Sequence, residues 1–162
     1  MMGNYQPLVD LTLPQMLGMR EDRFSEFRGL GISSMAFKVT SRESSNLFVV
    51  ELTVHKKGGP ALHLHQSQDE WFYFLGGEFV VEIGEQCLFP HTGDSLLVPK
   101  NTPHTWAFIG EGRGRFITAF SPAGNIEDFL RAASDGNAMP EPDSMLWQRY
   151  GIEVLGPPLL VE

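Results

Sequence analysis

The chain has 162 residues, with 12 lysines and arginines against 20 aspartates and glutamates, so its formal net charge is −8. At this length we expect one domain, and an acidic chain without a block of basic residues is not expected to bind nucleic acid or an anionic membrane. A single cysteine, Cys87, excludes an internal disulfide scaffold and an all-cysteine zinc site. The sequence starts without a signal-peptide pattern and has no membrane-length apolar stretch, so we expect a cytoplasmic protein.

Residues 1–31 form the first of three zones and indicate an extended N-terminal arm. Gly29 and Gly31, at the end of this arm, would break any helix there. The apolar residues of the arm lie before Pro14: Leu8, Val9, Leu11 and Leu13.

Residues 34–121 read as a series of short strands separated by glycine, proline and asparagine. Gly76-Gly77 and Gly84-Glu85 lie where two-residue hairpin turns would lie. Short strands at this spacing, without a helical pattern between them, predict an antiparallel sandwich or barrel. The predicted strands are Met35–Thr40, Leu47–Val54, Trp71–Leu75, Phe79–Ile83, Ser95–Val98, His104–Ile109 and Phe116–Phe120.

Residues 122–162 change to a helical pattern. A first helix is predicted from Asn125, the capping residue, to Gly136, and its apolar face comprises Ile126, Phe129, Leu130 and Ala133. A second short helix is predicted to start near Pro142 and stop before Gly151. The apolar tail 155–160 contains two prolines, so we expect it to pack on the barrel or on a neighbour and not to extend a central strand.

Three histidines and one carboxylate are the residues whose types and spacing indicate a chemical function. His63 and His65 are separated by one residue, so on a strand their imidazoles point to the same face. Glu70 starts the next apolar strand and His104 begins another after a proline-rich turn. Imidazoles together with a carboxylate suit a divalent first-row metal, and four protein ligands leave open positions on an ion that prefers five or six.

Two stretches give a specific resemblance. His63-Leu64-His65-Gln66-Ser67-Gln68-Asp69-Glu70, followed by Gly77, resembles the first signature of the cupin superfamily, and the stretch from Gly93 to His104 resembles the second. The resemblance covers residues 58–108 and implies a jelly-roll barrel of six to eight strands in a single domain, 1–162. It makes His63, His65, Glu70 and His104 the candidate ligands of one divalent ion per chain. Asp69 competes with Glu70, and the family spacing favours Glu70.

The chain departs from the family pattern at three positions. Lys57 stands where the family usually has glycine, with Gly58 and Gly59 beside it, so the turn is expected to shift by one residue. Asn101 replaces a glycine, and asparagine tolerates the left-handed backbone conformation. Phe108 replaces the closing asparagine of the second signature.

Strand parity extends the candidate site to aromatic side chains. Trp106 and Phe108 share parity with His104, and Phe72 and Phe74 share it with Glu70, so all four are expected inside the barrel, as pocket lining or as core packing. We interpret the remaining histidines, His55 and His91, as ordinary structural or surface residues, and Cys87 as a buried hydrophobe.

The resemblance implies a metal-dependent oxidoreductase, with a dioxygenase acting on a small aromatic or enol-type substrate as the first hypothesis. The candidate metals are Fe, Mn, Ni, Co, Cu and Zn. Alternatives are a non-enzymatic cupin that binds or senses a small ligand and, less favoured, a sugar isomerase or epimerase. Open sheet edges and the apolar segments 8–13 and 155–160 predict a homodimer.

Overall fold

Two antiparallel sheets form the body of the protein in a computed structural model that describes residues 14–44 and 46–162. The apolar residues predicted for the N-terminal arm, Leu8, Val9, Leu11 and Leu13, lie outside the described residues. The strands are β1 (Arg28–Leu30), β2 (Ser33–Val39), β3 (Phe48–Val54), β4 (Ala61–His65), β5 (Asp69–Gly76), β6 (Phe79–Ile83), β7 (Gln86–Leu88), β8 (Ser95–Val98), β9 (His104–Phe108), β10 (Gly114–Ser121) and β11 (Ile152–Pro158).

The sheets face each other across an aromatic core. The first has the order β1-β2-β3-β10-β5-β8 and the second the order β11-β4-β9-β6-β7. Burial alternates along strands such as β4 and β10, so that every second side chain points between the sheets. This is the predicted all-β jelly-roll architecture, and the alternation determines which residues reach the barrel interior.

Each of the seven predicted strand segments forms a strand, and the strand assumed around His63 and His65 is β4. The sequence pattern does not predict β1, β7 or β11. β1 and β7 have three residues each, which is too short for a pattern, and β11 ends in Gly156, Pro157 and Pro158. β11 pairs only with β4, at the edge of the second sheet, where proline is tolerated.

Two local predictions are wrong. Gly84-Glu85 does join the hairpin β6–β7, but Gly76-Gly77 does not form a hairpin turn, because β5 and β6 belong to different sheets and the chain crosses between them there. Cys87 is exposed and not buried. It lies on β7, a short edge strand that is covered on one side only.

Two short helices follow the barrel strands, α1 (Ile126–Asp135) and α2 (Met145–Arg149). The predicted apolar face of α1 is buried: Ile126, Phe129, Leu130 and Ala133. The predicted cap of α1 is wrong, because Asn125 precedes the helix without a side-chain capping bond, whereas Ser144 caps α2 by accepting the Leu146 N–H. Neither helix in the described part of the chain has the length and apolarity needed to cross a membrane.

Buried charges outside the barrel are paired. Asp22 accepts hydrogen bonds from the Arg28 side chain at 2.9 Å and from the Phe37 and Phe24 backbone N–H groups. On the outer face of the first sheet, Glu51 pairs with Arg115 at 2.6 Å. These pairs fix the segment before β1 and leave Arg115 far from the interior polar cluster described next.

Candidate metal centre

Four polar side chains converge inside the barrel from both sheets. β4 supplies His63 and His65, β9 supplies His104, and β5 supplies Glu70 from the opposite sheet. His63 and His104 are cross-strand neighbours in the register of β4 and β9. One potential ligand atom from each of the four side chains lies within 4.8 Å of the others, and all four residues are buried.

Two of the histidines are oriented by backbone carbonyls near the start of their own strands. The His63 Nδ1–H donates to the Ala61 carbonyl at 2.7 Å, and the His104 Nδ1–H donates to the Thr102 carbonyl at 2.9 Å. A carbonyl oxygen can only accept, so Nδ1 carries the proton in both rings. In each neutral ring the lone pair therefore lies on Nε2, the atom that faces the centre of the cluster.

The two oxygens of Glu70 have different surroundings. Oε2 lies 2.8 Å from His104 Nε2 and 3.0 Å from His65 Nε2, whereas Oε1 accepts the Thr118 hydroxyl at 2.7 Å. Because a neutral His104 with its proton on Nδ1 would turn a lone pair toward a carboxylate oxygen, the close contact requires a proton or a metal ion between the two atoms. A second proton on His104, a proton on Glu70 or a metal ion would meet this requirement.

The environment shifts the pKa values in opposite directions. Burial, together with the neighbouring His104 and His65, lowers the pKa of His63 to about 3, so His63 is neutral at pH 7. Burial alone would raise the pKa of Glu70, but hydrogen bonds and charge from His104 and His65 lower it. Burial disfavours the charged form of His104, but the bond and charge of Glu70 outweigh this effect and raise its pKa.

An ionised carboxylate beside neutral imidazole lone pairs is the donor set that divalent first-row metals prefer. The residues present therefore fit a metal ion. His65 differs from the other two histidines, because its Nδ1 is buried without a hydrogen-bond partner among the described residues. Its Nε2 faces Glu70.

A cavity of about 60 Å³ lies against the cluster, and the C-terminal helices form part of its wall. Trp147 of α2 lies over His63 with 5.8 Å between ring centroids, and its indole N–H donates to the Glu141 carbonyl at 3.0 Å. Phe129 of α1 packs against Trp147 at 4.9 Å. The lining residues are Leu30, Met35, Val50, Leu52, Pro60, His63, His65, Glu70, Trp106, Phe116, Thr118, Phe120, Ile126, Phe129, Leu130, Met139, Trp147 and Ile152.

The four aromatic residues assigned to the pocket are all buried, but only Trp106 lines the cavity. Phe72, Phe74 and Phe108 lie in the packed aromatic cluster with Phe79 and Phe116. Parity indicates which side chains point inward, but it does not indicate the depth at which the cavity lies.

Sequence reasoning missed two contributors to the site. Thr118 stands in an otherwise aromatic inward row of β10, and a hydroxyl at such a position was the available signal. Trp147 lay inside a predicted helix, but nothing in a single sequence indicates against which part of the barrel a helix packs.

The other polar candidates lie outside the cluster. Asp69, the competitor of Glu70, is exposed, and its carboxylate accepts the Lys100 backbone N–H at 2.9 Å. His55 lies at the surface within 3.1 Å of the Ser34 hydroxyl, and His91 is exposed.

The loops that hold the site explain two of the family departures. Asn101 has φ 62°, the left-handed conformation expected for it, and its N–H donates to the His65 carbonyl at 2.7 Å. Gly58 has φ 126°, and a Cβ on Gly59 would collide with the Trp106 carbonyl. The glycine requirement thus falls one residue or more after Lys57, as the sequence predicts.

Comparison with known proteins agrees with this architecture. The family described as "Cupin domain" matches residues 49–120, which include all four clustered residues. A search of curated proteins found no match.

Solved structures with the same fold cover about two thirds of this chain. KdgF from Halomonas sp. is 18% identical over 67% of this chain and 94% of its own, with a TM-score of 0.57. An RmlC-like cupin from Shewanella frigidimarina is 22% identical over 72% and 96%, with a TM-score of 0.56. A predicted oxalate decarboxylase from Thermotoga maritima is 15% identical over 66% and 98%, with a TM-score of 0.59.

At these identities the neighbours establish the fold and not the activity. The two antiparallel sheets, the family match and the structural neighbours together show that residues 49–120 form a domain of the cupin superfamily.

Proposed function

We propose that this cupin binds one divalent first-row metal ion through His63, His65, Glu70 and His104 and acts as a metal-dependent oxidoreductase of the dioxygenase type. The observation that carries the proposal is the convergence of three buried imidazoles and one carboxylate within 4.8 Å beside a cavity. Four protein ligands leave coordination positions for small molecules on an ion that prefers five or six.

The cavity lining supports a small aromatic or enol-type substrate. Among the described residues that line it, none is a lysine or arginine, and apart from the cluster and Thr118 the lining is apolar. A small dianion would require cationic side chains that pair with its carboxylates. Arg115 does not line the cavity and pairs with Glu51 on the outer face of the first sheet.

Glu70 is the residue proposed to move a proton. Its Oε2 faces the centre of the cluster, so a carboxylate arm displaced from the ion by a coordinating substrate oxygen would lie within proton-transfer distance of an enol or phenol. A bound ion would supply positive charge that stabilises the resulting anion and would promote reaction with dioxygen. The Trp147 and Phe129 rings form an apolar wall beside His63 that would limit the access of water to this step.

A non-enzymatic ligand-binding cupin is the second candidate, and the small volume of the cavity favours it. About 60 Å³ holds only a few water-sized molecules, which suits a small bound ligand better than turnover of a larger substrate. Slow or absent turnover with tight ligand binding would be the signature of this candidate.

Metal analysis combined with an oxygen-uptake screen tests the proposal. The purified protein is assayed with each candidate metal against flavonols, enediols and small diketones. We expect one ion per chain and oxygen consumption with at least one substrate class. Metal and ligand binding without oxygen consumption would favour the binding protein, and absence of metal would contradict both.

We also propose that the protein is a cytoplasmic homodimer. The exposed apolar residues Trp71 and Leu97 are cross-strand partners on β5 and β8, at the open edge of the first sheet, where a second copy would cover them. The single exposed Cys87 is compatible with a reducing compartment. Light scattering should give twice the mass of one chain, and a Trp71→Glu variant should shift the mass toward that of a single chain.

A further inference from the structure

Thr118 introduces a buried hydroxyl into a row of aromatic side chains. It lies on the central strand β10 with Phe116 and Phe120 on the same inward face, and it is 4% exposed. Burying a hydroxyl without a partner costs roughly 1–3 kcal/mol, whereas valine would fill the same volume without this cost. A threonine in this row therefore indicates a polar partner for its hydroxyl inside the barrel.

The hydroxyl bonds to one oxygen of Glu70. Thr118 Oγ1 donates to Oε1 at 2.7 Å, while Oε2 faces His65 and His104. The bond engages a lone pair of Oε1 and fixes the rotation of the carboxylate. A carboxylate held in this way presents one oxygen to the centre of the imidazole cluster.

We propose that Thr118 is a positioning residue that restricts Glu70 to coordination through Oε2 alone, so that the metal keeps an additional position for an exogenous ligand. This inference rests on the proposed metal site. It differs from a purely structural role, in which loss of the hydroxyl would lower stability and leave coordination unchanged.

The hydroxyl can be removed or kept with small changes of volume. Thr118→Val removes it and keeps the branched shape, Thr118→Ser keeps it and loses the methyl group, and Thr118→Ala removes both. The readouts are Co²⁺ stoichiometry, the visible absorption spectrum of the Co²⁺ protein, and the affinity of the Co²⁺ protein for azide.

We expect all variants to bind one Co²⁺ per chain. In Thr118→Val the released Oε1 also binds the ion, so the spectrum changes and azide binds about tenfold more weakly, in the range typical of lost hydrogen bonds to metal ligands. Thr118→Ser should retain the wild-type spectrum and azide affinity. Thr118→Ala should change both in the direction of Thr118→Val.

Two failures are distinguishable. A wild-type spectrum and azide affinity in Thr118→Val, or in Thr118→Ala if the valine variant does not fold, would overturn the inference and leave the metal site intact. Failure of the wild-type protein to bind Co²⁺ would overturn the metal proposal and this inference with it.

Discussion

The two ends of the barrel interior are built from the same strands but bury different chemistry. Along β5 the inward side chains run from Glu70 to Phe74, and along β9 they run from His104 to Phe108. One end holds a polar cluster beside a cavity, and the other is filled by rings whose centroids lie 5.4–5.8 Å apart around Phe116 and Phe79.

The comparison shows that one strand pattern serves two purposes. Close-packed rings stabilise the aromatic end and hold the strands in register, because each buried phenylalanine contributes a large apolar area. At the polar end the same register brings donor atoms from both sheets together. If this division is correct, substitutions at the polar end should affect turnover, and substitutions at the aromatic end should affect the free energy of unfolding.

The largest effect is expected from Glu70→Gln. The amide keeps the size of the side chain, but it cannot accept the substrate proton, so turnover should fall by about 10²–10⁴ while the three imidazoles retain substantial metal. Each tenfold loss corresponds to roughly 1.4 kcal/mol of barrier. Initial rates of oxygen uptake and metal content measure the two quantities.

Asp69→Asn is the matched control, because it changes the adjacent but exposed carboxylate and should leave the rate unchanged. A Glu70→Gln protein that kept its metal and turned over at nearly the wild-type rate would show that Glu70 is a ligand and not a base.

At the aromatic end, Phe79→Ala should lower the free energy of unfolding by about 3–5 kcal/mol without removing metal. Phe79 is 1% exposed and its ring contacts Phe74, Phe108 and Phe116. Phe79→Leu keeps most of the volume and should cost less. Loss of metal from the folded Phe79→Ala protein would contradict the independence of the two ends.

The smallest effect is expected at Asp22, a buried and paired carboxylate that lies outside both ends of the barrel interior. Burial alone would raise the pKa of Asp22, but hydrogen bonds from Arg28, Phe37 and Phe24 and the charge of Arg28 lower it below the usual 3.8. A carboxyl group whose pKa is lower in the folded than in the unfolded state stabilises the protein at pH values above its unfolded-state pKa. This contribution is lost as the pH falls through the folded-state pKa.

Asp22→Asn should therefore cost about 1.5–3 kcal/mol of unfolding free energy at pH 7, the range for a hydrogen bond to a charged group. The difference from wild type should shrink as the pH falls below 3.8. Thermal unfolding at several pH values measures this. A difference that stayed constant down to pH 3 would mean that the Asp22 charge does not stabilise the fold.

The barrel strands and the four clustered residues could be predicted because period-two alternation and family spacing are local signals. His63 and His65 share a face for that reason, and Glu70 rather than Asp69 points inward. The depth of the cavity could not be predicted, since Phe72 and Trp106 have equivalent parity but only Trp106 lines it. The position of Trp147 beside His63 could not be predicted either, because it depends on how α2 packs against distant parts of the chain.

The central claim is that the cluster holds a metal ion, and metal content is its most direct test. Wild-type protein and a His63→Ala, His104→Ala double variant are loaded identically, freed of loosely bound metal and analysed by mass spectrometry. This claim predicts one divalent ion per wild-type chain and almost none in the folded variant. Equal metal content in the two proteins would contradict it.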